Sequence, residues 1–71
     1  MNGRDRVALV SVLHPVRHAA EGILDQIWIA KDATTEPSLD EALRALEILQ
    51  RETARASTLV QRLVDEQRAM L

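Results

Sequence analysis

Asp32-Ala33-Thr34-Thr35-Glu36-Pro37, followed at once by Ser38-Leu39-Asp40-Glu41, is the stretch on which the fold turns. Two β-branched threonines and a proline interrupt any helix arriving from the N-terminal side, and Pro37 holds Glu36 out of the helical region. Ser38 and Glu41 then stand at capping-box spacing, where the serine hydroxyl accepts from the Glu41 amide and the Glu41 carboxylate reaches back. Asp40 and Glu41 also set negative charge at the positive end of a helix dipole. One helix therefore ends before a loop at 33–37, and a second starts after it.

Forward from the cap, Leu39, Ala42, Leu46, Leu49, Thr53, Ala56, Val60, Leu63, Gln67 and Met70 alternate steps of three and four. This is the rhythm of a helix with one buried stripe, and Leu43, Leu59, Val64 and Leu71 widen it. Asp40 and Arg44, Glu47 and Arg51, and Glu52 and Arg55 place acid before base at helical spacing. No breaker follows, so the second helix is predicted over 38–70.

Backward from Asp32, Leu9, Leu13, Val16, Ala20, Ile23, Ile27 and Ala30 keep the same rhythm, flanked by Val12, Ala19 and Leu24. Pro15 breaks into it. In a helix interior it removes one backbone hydrogen bond and crowds the Ser11 carbonyl, costing about 3 kcal/mol unless the helix kinks. Either one helix runs from about 5 to 32 with a kink near Pro15, or a shorter helix starts at Pro15 and Val7–Leu13 is a separate piece. Length favours the kinked helix, which at ~1.5 Å per residue reaches roughly 42 Å against roughly 50 Å for its partner.

The expected architecture is all-α: an antiparallel two-helix hairpin forming a single domain over 1–71. Two helices alone cannot enclose a core, and a stripe this wide needs more than one neighbour. A second copy is the simplest cover, giving a two-fold homodimeric four-helix bundle. Its seam would be built from Leu9, Leu13, Val16, Ile23, Ile27, Leu46, Leu49, Val60 and Leu63.

Composition agrees with this class and narrows the function. The chain has 71 residues, too few for most catalytic clefts; 46% are hydrophobic and 28% charged, which suits a folded chain in water rather than a disordered or membrane-spanning one. A net charge of -2 supplies no basic excess for nucleic-acid phosphates or an anionic membrane, so neither is expected as a partner. Cysteine is absent, and the apolar run Val7–Leu13 leads into His14, Pro15 and Arg17 rather than a cleavage site. The expected location is cytoplasmic.

Few residues point to chemistry. His14, His18 and Glu21 form an H-x-x-x-H-x-x-E spacing that places three potential ligands for a divalent ion on neighbouring turns. Pro15 stands where the metalloprotease motif has its glutamate, and the ordinary reading is a solvated polar face, so no metal and no cofactor is assigned. Ser11, Ser38 and Ser57 lack a nucleophile elbow, and Gly3 and Gly22 are too far apart for a phosphate loop.

The segment Leu13-His14-Pro15-Val16-Arg17-His18-Ala19-Ala20-Glu21-Gly22-Ile23 resembles the dimerisation and phosphoacceptor domain of sensor histidine kinases. His14, Val16, Arg17 and Ile23 match the histidine, hydrophobic, arginine and isoleucine places of that family's first helix. Residues 51–65 are similar to the closing stretch of its second helix, and the likeness spans roughly 8–66. The resemblance implies a dimeric four-helix bundle with His14 exposed as phosphoacceptor. The family's acidic residue after the histidine is Pro15 here, and His18 and Ala19 replace its usual polar residue and proline, so the adjacent base is missing.

Trp28 and Ile29 lie beside the stripe of the first helix, and Ile48 lies off the stripe of the second. Apolar residues on an outward face mark a docking surface, which makes these three the expected contacts for a larger protein. The functional expectation is a small, non-enzymatic interaction or regulatory protein, with phosphotransfer or its imitation through His14 as the alternative.

Overall fold

The computed structural model describes residues 1–70; Leu71, assigned above to the widened stripe, lies outside them. Two α-helices, α1 (Gly3–Lys31) and α2 (Leu39–Ala69), account for the regular structure, with no strand among the described residues. The chain measures 56 × 19 × 13 Å along its principal axes, the outline of two rods laid side by side.

The first helix starts two residues earlier than the periodicity indicated. Asn2 caps it, with its side-chain oxygen accepting from the Asp5 amide at 2.8 Å, and the cap rather than the first apolar residue sets the boundary. Val7–Leu13 is helical, not extended, and Pro15 sits inside a helix that runs unbroken to Lys31. Lys31 occupies the last turn, where its charge faces the negative end of the dipole.

Asp32 ends α1 and begins the connection, so the loop is wider than 33–37, running from Asp32 to Ser38. The Asp32 amide donates back to the carbonyls of Trp28 at 3.0 Å and Ile29 at 3.3 Å. Its carboxylate then accepts from the Thr34 amide at 3.0 Å, the Thr34 hydroxyl at 2.7 Å and the Thr35 hydroxyl at 2.9 Å. One aspartate thus closes the helix and organises the turn, as Asx side chains do. Ser38 caps α2 as expected, accepting from the Glu41 amide at 3.2 Å, and Met70 is the residue that closes it.

The three acid-before-base pairs expected on α2 are not closed; among the described residues the ion pair that forms is Arg17 with Glu21 on α1, at 3.3 Å. Exposed pairs gain little over two hydrated side chains, so spacing alone does not bring them together.

Grooves shared by the helices show the antiparallel pairing directly. Gly22 shares one with Ala45, His14 lies in the same groove as Glu52, and Ser11 and Val12 line another with Arg55 and Leu59. Positions on α1 fall as those on α2 rise.

The line of contact between the rods mixes small and larger residues. On α1 the positions facing α2 include Ala8, Val12, Pro15, Ala19, Gly22 and Gln26, and on α2 Ala42, Ala45, Leu49, Glu52, Ala56 and Leu63. The α1 set repeats at three and four, and the α2 set does so as far as Ala56, with Leu63 seven residues on, the spacing of a straight antiparallel seam. Ala19 and Ala56 are the only described side chains that become buried, at 8% and 6% exposure.

Candidate functional site

The hairpin has two sides, and they differ. With 3.6 residues per turn, Leu9, Leu13, Leu24 and Ile27 lie about a quarter-turn round α1 from the contact line. Leu39, Leu43 and Leu46 lie a similar turn round α2, and antiparallel pairing brings both sets to one side. There Leu13 and Val16 share a groove with Ala56, Val60 and Val64. Leu13 is 46% exposed, Ile27 45% and Leu46 49%.

Of the nine residues read as seam, Leu9, Val16, Ile23, Leu49, Val60 and Leu63 are half-buried by the hairpin itself, while Leu13, Ile27 and Leu46 stay exposed. The hairpin therefore buries two alanines and half-covers part of its aliphatic set, and leaves Leu13, Ile27 and Leu46 open on an adjacent face. The chain exposes 5953 Å². A compact monomer of its 8.0 kDa mass would expose about 4,450 Å² by the scaling of folded proteins.

The opposite side carries the histidines. His14, His18 and Glu52 line a groove floored by Pro15, Ala19, Gly22, Ala45 and Ile48, with a volume of about 620 Å³. The Nε2 atoms of His14 and His18 are 3.1 Å apart, and the ring centroids are separated by 4.5 Å. Glu21, the third member of the spacing read from the sequence, does not join them, because Arg17 holds its carboxylate. Among the described residues no group of three histidines, cysteines or carboxylates converges as a metal site. His14 is exposed on this side.

The three residues expected to dock a partner do not form one patch. Trp28 is 72% exposed and projects from the side of α1 away from α2. With Ile29 it borders a depression completed by Lys31, Asp32 and Thr35 at the loop end. Ile48 is 40% exposed in the histidine groove instead. The sequence reading passed over Asp32 as an organiser of this end, although an aspartate two and three residues before threonines is a visible turn signal.

The fold shifts the titration of Asp32. The Thr34 amide first, then the Thr34 and Thr35 hydroxyls, donate to its carboxylate and hold it below its ordinary range. No described helix is long and apolar enough to cross a membrane. No family model, curated protein or solved structure matches the chain.

Proposed function

We propose that this chain is a small, non-catalytic protein-interaction module: two copies close over the face of Leu13, Ile27 and Leu46 to form a four-helix bundle. The outward side of the bundle, with Trp28 and Ile29 at the loop end and Ile48 in the histidine groove, then binds a larger protein. The observation that carries this reading is the mismatch between what the hairpin buries and what it leaves open. Among the described residues the two buried side chains are alanines, while Leu13, Ile27 and Leu46 stay 45–49% exposed on one side.

The area supports a second copy as the cover. Hiding the excess over a compact monomer removes roughly 1,500 Å² from each chain. That is about 3,000 Å² in total, within the ~2,000–5,000 Å² of obligate homodimers. A long, flat, apolar face on a two-helix rod is also self-complementary under a two-fold axis, since each rod offers the other the same length and curvature.

Binding of a partner would work by occupying a surface, with the bundle serving to hold Trp28 rigid. The test is a comparison of Trp28→Ala with the parent chain in sedimentation and in capture of partners from the source cell. The expected result is an unchanged dimer that has lost its partner; retention of every partner would remove Trp28 from the interface.

Phosphoryl acceptance by His14 keeps one supporting observation, the exposure of its ring. Incubation with a phosphorylated receiver domain is the test, and acid-labile label on His14 is the result that would favour it.

A further inference from the structure

The geometry points to His14 and His18 as a two-imidazole clip for a divalent transition ion of the zinc, nickel or copper class. One turn of α1 separates the two residues, and their Nε2 atoms are hydrogen-bonded to each other at 3.1 Å, a bond that an entering ion would replace. Two metal–nitrogen bonds of about 2.0–2.1 Å hold their nitrogens about 2.9 Å apart at a right angle and about 3.3–3.4 Å apart at the tetrahedral angle, and the observed separation falls between these. An ion can therefore enter between these rings with little movement of either.

The surroundings favour an open, partly filled coordination shell. The rings stand over a groove floored by Ala19, Gly22 and Ile48, and the charged side chain that lines it is the carboxylate of Glu52, which attracts a cation. Arg17, the nearest cation in sequence to His18, is drawn off by Glu21. With no third protein ligand among the described residues, the remaining positions fall to water or to a group brought by a partner. Imidazole ligands select borderline ions over magnesium and calcium, which take oxygen.

This site lies on the side opposite the Leu13, Ile27 and Leu46 face, so its test stands apart from that of the dimer. Zinc or nickel chloride titrated into the full chain, followed by calorimetry and by the histidine ring signals in NMR, reads it directly. The expected result is one ion per chain, both rings shifting with a common midpoint, and no response to magnesium. Because a chelate needs both arms, His14→Ala and His18→Ala should each weaken binding at least about tenfold, the low end of the loss seen when a metal site is compromised. Both residues are exposed, and circular dichroism of each variant confirms that the helices persist. Absence of any ring shift with zinc, nickel and copper would overturn the proposal, as would a single variant that binds as tightly as the parent.

Discussion

Among the described residues, Ala19 on α1 and Ala56 on α2 are the two side chains that the hairpin buries, one from each rod, and each contributes a single methyl group. Leu9, Val16, Ile23, Leu49, Val60 and Leu63 are half-buried beside them, a small core for ordering a 71-residue chain. Covering the Leu13, Ile27 and Leu46 face would add to it, and most of the expected behaviour of the protein follows from that division.

Leu46→Ala separates the bundle from a lone hairpin. If a second copy covers this side chain, its removal costs about 2–5 kcal/mol, as for a core leucine. On a free hairpin surface the change stays within about 0.5 kcal/mol. Urea unfolding at fixed protein concentration measures the difference, and the larger loss is expected. Leu13→Asp should go further and split the dimer, read as a fall in mass by light scattering.

Ala56→Leu probes the contact line itself. An isobutyl group at a position only 6% exposed forces the rods apart, and a loss of about 1–3 kcal/mol is expected from overpacking. A neutral or stabilising result in thermal unfolding would show that the rods are not held close at Ala56.

Gly22→Ala should act in the opposite direction. Gly22 is in mid-helix, and an added Cβ meets nothing within 4 Å. The gain is about 0.5–1 kcal/mol, from the smaller backbone entropy lost on folding. A rise in unfolding temperature is the expected reading, whereas a fall would mean that another body closes on the histidine groove.

Asp32 gives the loop a dependence on pH. Its carboxyl is held below the ordinary value of 3.8 by the Thr34 and Thr35 donors. The folded pKa is thus the lower one, so the stabilisation is complete above the unfolded value and is lost as pH falls through the folded value. Parent and Asp32→Ala chains should differ in unfolding temperature near neutrality, and the gap should narrow below pH 3.8. A gap of constant size down to strong acid would contradict this role.

The helices and the break between them were legible because they rest on local chemistry: the Ser38 cap, Pro37, and apolar steps of three and four. The rotation of one rod against the other was not. Periodicity marks where large apolar side chains recur, so Leu13, Ile27 and Leu46 stood out as the seam. Ala19 and Ala56 carry almost no hydrophobic signal, yet they are the positions that the two rods bury among the described residues. The caps at Asn2 and Asp32 were missed for a related reason, since the boundaries were drawn from the apolar residues rather than from the polar ones that terminate helices. At the candidate site, the spacing of His14 and His18 was visible, but the convergence of their Nε2 atoms and the diversion of Glu21 to Arg17 depend on rotamers that spacing does not specify.

Sedimentation equilibrium of the full chain, carried down through a dilution series, distinguishes the bundle from a lone hairpin. A species of twice the 8.0 kDa chain mass, whose helicity falls together with its mass on dilution, is expected. A species of 8.0 kDa that stays fully helical and cooperatively folded at the lowest concentration would contradict the bundle.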